Sequence, residues 1–316
     1  MNVKKNSSIV LGTRGSELAM YQAHHVAWIL QSKNVDLSVK IKTIMTTGDK
    51  ILDTPLAKVG DKGLFVKEIE NELLSGEIDI AVHSCKDMPT ELPAGLTIAA
   101  FGAREDARDA FIGKPGTGSR GLEDIARGGT IGTSSLRRRS QLMSLRPDLV
   151  TVDIRGNVDT RIRKIGELKL DGTILAAAGI KRLERLGEAS FFFEVDEMIP
   201  AVGQGVIAIE SREEDPVVRN LLTCVNDGAS ATAVTAERAL MKQLEGGCQV
   251  PIGAHATVLG NRLFMKAYLG SLDGTKSIRD EIEGPVEEAG ELGVKLAMRM
   301  YEAGGREILE EVRAQA

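Results

Sequence analysis

The chain has 316 residues, enough for two or three cores of ordinary domain size, with 42% hydrophobic and 27% charged residues, close to the soluble globular average. A formal charge of -5 argues against a general polyanion binder, and no apolar run reaches the length of a membrane span. The opening residues, Met1 to Ser8, include Lys4 and Lys5 but no apolar signal core, so a cytoplasmic protein is expected.

In chain order, Ile9 to Leu11 reads as a short strand and Glu17 to Ser32 as an amphipathic helix. Alternating Val39, Ile41 and Thr43 predict a second strand, Phe65, Ile69 and Leu73 fall at helical spacing, and Ile78 to Val82 predicts a third strand. Thr47 to Lys62 reads as a long loop, of the kind that serves as a lid or simply as solvated chain. A second run predicts strands near Thr130 to Gly132, Val150 to Ile154 and Thr173 to Ala177, each followed by a helix, which implies α/β architecture with a largely parallel sheet. After an Ile207 to Ile209 strand the style changes. A helix near Ala229 to Leu244 precedes strands at Ala254 to Leu259 and Leu263 to Leu269 joined by a Gly260-Asn261 turn, then a strand near Ser277 to Glu283 and a closing helix at Val286 to Glu302, together a small α+β domain.

Charge is distributed unevenly. Ser135-Leu136-Arg137-Arg138-Arg139 opens a helix after a strand, where unpaired N–H groups already favour anions. Arg155, Arg161 and Arg163 follow the next strand, so two strand ends can aim guanidiniums at one crevice. Charge-assisted hydrogen bonds from arginine to carboxylate contribute roughly 1.5 to 3 kcal/mol each, which points to a small polycarboxylate; the same arginines can also decorate a solvated helix face. Nucleic acid is disfavoured, because no Phe, Tyr or Trp lies between Phe111 and Phe191 to stack on bases.

Asp87 stands two residues before Pro89 and just beyond a buried strand, a place suited to stabilising a cation or moving a proton, although a helix cap or an ion pair with Lys86 fits the spacing too. Cys248, in Gly246-Gly247-Cys248, is either an attachment point or an inert small side chain. The odd set Cys85, Cys224 and Cys248, with His24, His25, His83 and His255, shows no metal-ligand spacing and suits reduced thiols. Gly116-Thr117-Gly118-Ser119-Arg120-Gly121 mimics a dinucleotide fingerprint, but Lys114-Pro115 separates it from the strand and Gln141 stands where the ribose-binding acid belongs. His83, closing an apolar strand, reads as a hydrogen-bonded structural residue.

Together these segments resemble the porphobilinogen deaminase (hydroxymethylbilane synthase) family over nearly the whole chain. The resemblance rests on Gly12 to Ser16, Gly63 to Glu68, Ala81 to Pro89, Gly132 to Arg138, Ile154 to Arg161, Ala176 to Leu183, Pro200 to Gly205 and Glu245 to Gly253. It implies two α/β domains like those of type II periplasmic binding proteins, with the active cleft between them, and a third, smaller α+β domain carrying the cofactor cysteine. The implied boundaries are 1–102 plus 203–225 for the first domain, 103–202 for the second and 226–316 for the third. It also implies a transferase of heme and porphyrin biosynthesis that joins four porphobilinogen molecules into linear hydroxymethylbilane with loss of ammonia. The chain would grow on a dipyrromethane cofactor bound to Cys248 as a thioether. By the same resemblance Asp87 is catalytic; Lys86, Ser135, Arg137, Arg138 and Arg161 hold the cofactor's acetates and propionates; and Arg14, Ser16, Arg155 and Arg182 serve the substrate or growing polypyrrole. No nucleic acid, membrane or metal is implied, and the protein is expected to act as a monomer whose product passes to uroporphyrinogen-III synthase. Cys85 departs from the larger apolar residue more usual in the family. A non-catalytic binding protein for a small polycarboxylate is the main alternative, since a fold and an anion site do not imply catalysis; a nucleic-acid-binding regulator is more distant.

Overall fold

The computed structural model describes residues 7–50, 65–116, 118, 120–244 and 250–315. These form two compact units, one drawing on residues 7–50, 65–105 and 206–231, the other on 106–205 and 232–315.

The first unit runs through β1 (Ser7–Thr13), α1 (Glu17–Lys33), β2 (Leu37–Thr43), a helical turn α2 (Thr47–Lys50), α3 (Lys67–Ser75), β3 (Ile80–Ser84) and β4 (Leu96–Phe101). After the excursion into the second unit, the chain continues with β10 (Ile207–Arg212) and α7 (Pro216–Leu222). The second unit begins with β5 (Asp109–Gly113), β6 (Thr130–Gly132), α4 (Leu136–Leu145), β7 (Val150–Val152), α5 (Val158–Glu167), β8 (Gly172–Ala176), α6 (Ala177–Arg182) and β9 (Phe191–Phe192). The C-terminal part follows with α8 (Gly228–Gln243), β11 (Ile252–Leu259), β12 (Arg262–Gly270), β13 (Ser277–Pro285), α9 (Ala289–Met300) and α10 (Arg306–Gln315).

Both five-stranded sheets repeat one topology. The first has the order β2-β1-β3-β10-β4 and the second β7-β6-β8-β5-β9. In each, three parallel strands meet a fourth that runs antiparallel, β10 against β3 and β5 against β8. The α/β class therefore holds, with one topology repeated in both units, whereas the expectation of a largely parallel sheet is corrected to mixed. Of the two antiparallel strands, β10 was read as a strand at Ile207 to Ile209, whereas β5 was not, because a strand buried on both faces, such as Ala110-Phe111-Ile112, carries no alternation to reveal it.

The first sheet packs on α1, whose buried Ala23, Val26, Ala27 and Leu30 recur at i, i+3, i+4 and i+7 against Ile9, Leu11, Ile80 and Val82. Each such large apolar side chain contributes about 1.5–3 kcal/mol by leaving water. The three-stranded sheet β11-β12-β13 is an antiparallel meander. Its turn at Gly260 takes φ +62°, a left-handed conformation suited to glycine. Leu263, Met265, Ala267 and Leu269 alternate inward beneath Leu240 of α8 and Leu296 and Met300 of α9.

Several polar side chains are buried in the first unit, among them His83, Glu210 and Glu70. His83 Nε2 on β3 is 3.1 Å from Glu210 Oε2 on β10, which fits the structural reading of this histidine. Glu70 of α3 is buried as well, and Oε1 of each glutamate lacks a hydrogen-bond partner among the described residues. Burial, and then the charge of Glu210, pushes the Glu70 carboxyl up to about 7.

Candidate active site

In the first unit the candidate residues lie just beyond strand ends. β1 and β3 are parallel neighbours, with Leu11 opposite Ile80 and Gly12 opposite Ala81, so whatever follows each strand emerges at the same sheet edge. β1 leads into Arg14-Gly15-Ser16, and Ser16 caps α1, its Oγ accepting from Ala19 N–H at 3.3 Å. Arg14 Nε donates to Asp49 Oδ1 at 3.1 Å while its guanidinium lies 4.2 Å from the centre of the Phe65 ring. Burial would raise the Asp49 carboxyl, but hydrogen bonds from Arg14 and Thr46 outweigh it and hold it below its usual range.

β3 is buried along Ile80–His83 and then turns tightly through Cys85-Lys86-Asp87. Cys85 N–H donates to Val206 O at 2.9 Å, Met88 N–H donates to Cys85 O at 3.1 Å, and Gln22 of α1 hydrogen-bonds Ser84 at 2.9 Å. These bonds fix a turn that buries Cys85, half-buries Lys86 and exposes Asp87. Arg14, Ser16, Lys86 and Asp87 thus share one edge.

The second unit repeats the device. Parallel β7, β6 and β8 lie side by side, and α5, α4 and α6 follow them. Ser134 Oγ donates to Ile154 O at 2.9 Å, tying the loop after β6 to the loop after β7. Ser135 caps α4, accepting from Arg138 N–H at 3.4 Å. Gly156 has φ +122°, and the Arg161 guanidinium donates to its carbonyl at 2.9 Å. Arg155 is half-buried, and burial lowers its affinity for the proton against the opposing pull of Asp153. Arg182 closes α6 and donates to Gly205 O at 2.7 Å.

Arg137 and Arg138 are placed differently from a solvated helix face: each is only 5% exposed, and both engage Asp109 at the start of β5. Arg138 Nε and a terminal nitrogen donate to Asp109 Oδ1 at 3.0 and 2.7 Å, and its other terminal nitrogen donates to Ile174 O at 2.8 Å. Arg137 pairs with Asp109 Oδ2 at 2.7 Å and donates to Ile199 O at 2.8 Å, but its Nε has no hydrogen-bond partner among the described residues. Gln204 adds a third donor to Asp109 Oδ1 at 3.0 Å. Burial would raise the Asp109 carboxyl, yet the two guanidiniums overcome it and keep the group ionised far below the usual range. Burial in turn lowers Arg137.

Asp109, Gln204 and Asp49 were not singled out from sequence. An acid in front of an apolar strand looks like surface until the two arginines that neutralise it are found nearby. Cys248 lies outside the described residues, as do most residues of the predicted Thr47 to Lys62 loop; the first four, Thr47–Lys50, form a helical turn instead. Among the described residues no group of three or more His, Cys, Asp or Glu is arranged to hold a metal, and no helix is long and apolar enough to cross a membrane. The donor set at the second unit's strand ends suits carboxylates: capped helix N-termini, several arginines, and one buried guanidinium N–H unpaired among the described residues.

The fold is that of an α/β protein with arginines and capped helix N-termini gathered at its strand ends. Residues 9–220 match the family profile described as porphobilinogen deaminase, dipyromethane cofactor binding domain, and residues 231–302 match porphobilinogen deaminase, C-terminal domain. The chain is 50% identical over 302 residues to the porphobilinogen deaminase of Geobacter sulfurreducens, covering 96% of this chain and 94% of that one. It is 51% identical over 303 residues to that of Syntrophomonas wolfei, covering 96% and 98%. Among solved structures, the methionine-binding protein MetQ aligns over 71% of this chain and 92% of its own, at a TM-score of 0.45 and 12% identity. The chain belongs to the porphobilinogen deaminase family.

Proposed function

We infer that this chain is a transferase that condenses four porphobilinogen molecules into linear hydroxymethylbilane, releasing ammonia, on a covalently held dipyrromethane primer. The observation that carries this reading is the match of both family domains, in order, along one chain that covers nearly the full length of its curated relatives.

When bound, dipyrromethane supplies a free pyrrole carbon that attacks the activated substrate. Asp87 is the catalytic carboxylate. Exposed on its tight turn, it accepts hydrogen bonds from pyrrole N–H groups, stabilises the positive charge that develops on the substrate as ammonia leaves, and receives the proton lost when the new bond closes. Lys86 beside it, with Ser135, Arg137, Arg138 and Arg161, holds primer carboxylates. The unpaired Arg137 Nε supports this, since a buried donor is costly unless something accepts from it. Arg14, Ser16, Arg155 and Arg182 serve the incoming substrate and growing chain, and Cys248 carries the primer as a thioether.

Three domains are proposed, 1–102 plus 203–225, 103–202 and 226–316, supported by three separate sheets with cores of their own. We place the enzyme in the cytoplasm as a monomer, handing its product to uroporphyrinogen-III synthase; the exposed thiol of Cys224 suits a reducing compartment.

Incubation with porphobilinogen tests the reaction. The expected result is stoichiometric ammonia and, after acid and oxidation, uroporphyrin absorbance; porphobilinogen bound and recovered unchanged would support the binding-protein reading instead.

A further inference from the structure

Gln141, the residue that rules out a dinucleotide fingerprint in the sequence, has a structural place of its own. It is fully buried on α4, and its amide grips the backbone of Ile199 twice: Oε1 accepts from Ile199 N–H at 2.8 Å and Nε2 donates to Ile199 O at 3.0 Å. Arg137 donates to the same carbonyl at 2.8 Å, so α4 satisfies both backbone polar groups of Ile199. Pro200 follows, which disfavours a helical backbone at Ile199 and stiffens the segment. Its carbonyl accepts from Ala254 N–H on β11 at 2.9 Å, and β11 approaches so closely that a Cβ at Gly253 would stand 2.7 Å from Ile199 O. A second grip lies beside the first. Ser140 Oγ is 2.7 Å from the hydroxyl of buried Tyr268, whose strand position is opposite Gly253, and donates to Ser271 O at 2.6 Å. All of these residues belong to the second compact unit, and β11 is the first strand after Cys248 in the chain.

We propose that Gln141 is a positioning residue for the reaction: through Ile199 and Pro200 it fixes the start of β11 on α4, and so sets where a primer carried by Cys248 ends relative to the groups that act on it, with Ser140 as the second point of attachment. The link is a chain of hydrogen bonds through backbone. Gln141 holds Ile199, the peptide between Ile199 and Pro200 is short and stiff, and Pro200 holds Ala254. Loosening the first bond therefore loosens the last, although Gln141 and Ala254 share no hydrogen bond. An error of about 1 Å in the placement of a reacting group is enough to cost roughly 10²-fold in rate, so a primer that wanders by a fraction of that slows every addition without altering the site that binds porphobilinogen.

This inference rests on the proposed primer-dependent function. The test compares Gln141→Met, which keeps length and packing but removes both bonds to Ile199, with Ser140→Ala and with Gly293→Ala, a destabilised control in the α8–α9 packing far from this junction in the chain. Native-state hydrogen exchange is read in peptides containing Ile199 and Ala254, and kcat is expressed per molecule shown by intact mass to carry the primer. For Gln141→Met the proposal expects faster exchange at both Ile199 and Ala254, and a kcat per loaded molecule about tenfold lower with KM for porphobilinogen unchanged. A side chain that only stabilised the fold would lower the thermal midpoint, as Gly293→Ala does, and leave loaded molecules turning over at the wild-type rate. Wild-type kcat in loaded Gln141→Met, unchanged exchange at Ala254, or an equal slowing in Gly293→Ala would each overturn the assignment. Where Gln141→Met yields no folded protein, Ser140→Ala decides by the same readings: faster exchange at Ala254 with kcat about threefold lower supports the proposal, and wild-type values refute it. Wild-type protein without dipyrromethane or without turnover would sink the underlying reading instead, and exchange at Ala254 would then decide the link between Gln141 and β11 by itself.

Discussion

Glu70→Gln should change the pH dependence of stability. The Glu70 carboxyl is raised from an ordinary 4.5 to about 7, first by burial and then by the charge of Glu210, so the folded protein holds this proton more tightly than the unfolded chain does. Its stabilising contribution is therefore complete below about 4.5, declines as pH rises, and is gone above about 7. Each tenfold change in proton affinity is worth about 1.4 kcal/mol, which makes the whole contribution roughly 3 kcal/mol. Glutamine keeps the shape but has no proton to lose. The stability difference between variant and wild type should therefore move in the variant's favour by roughly 3 kcal/mol between pH 4.5 and pH 8. Urea unfolding read by pulsed hydrogen exchange in peptides from α3 and β3 isolates the first unit from the rest of the chain. Parallel pH profiles for the two proteins would refute the idea that the folded protein holds the Glu70 proton more tightly than the unfolded chain does.

Two further changes separate chemistry from packing. Asp87→Asn, at an exposed position on the turn after β3, should leave the thermal midpoint within about a degree of wild type while turnover of the primer-loaded enzyme falls by roughly 10²- to 10⁴-fold; a wild-type rate would move the catalytic role to another group. Gly293→Ala should do the reverse, because a Cβ there would overlap the Ala236 carbonyl oxygen where α9 packs on α8; a loss of about 1–3 kcal/mol, seen as a lower thermal midpoint with kcat unchanged in the folded fraction, is expected.

Much of the fold was legible in local pattern. The strands beginning near Ile9, Val39, Thr130, Thr173 and Ala254 appear within a few residues of where alternation and burial put them, and Ala229 to Leu244 forms α8. What failed was the pairing. β4, β5, β9 and the short α7 went unread, since elements of two to seven residues between turns carry no decisive period, and antiparallel partners far apart in sequence leave no local trace. The closing helix ends at Met300, where Gly304 at φ +102° interrupts it, and α10 continues beyond.

The site was legible as composition and only partly as geometry. The runs around Arg137 and Arg155 do follow neighbouring strands, as their spacing after two strand signals suggested. Their electrostatic state was hidden, because it depends on Asp109 and Gln204, 28 and more residues away in the chain. Sequence shows a row of cations; only the fold shows that two of them converge on one buried carboxylate.

The central claim is that this chain builds tetrapyrrole on a primer attached to Cys248, and the intact mass of the purified protein tests it most directly. The account predicts a wild-type mass above that of the sequence by one dipyrromethane, and a Cys248→Ala protein that is folded and unmodified. Active wild-type protein with the bare sequence mass, or an adduct that persists in Cys248→Ala, would contradict it.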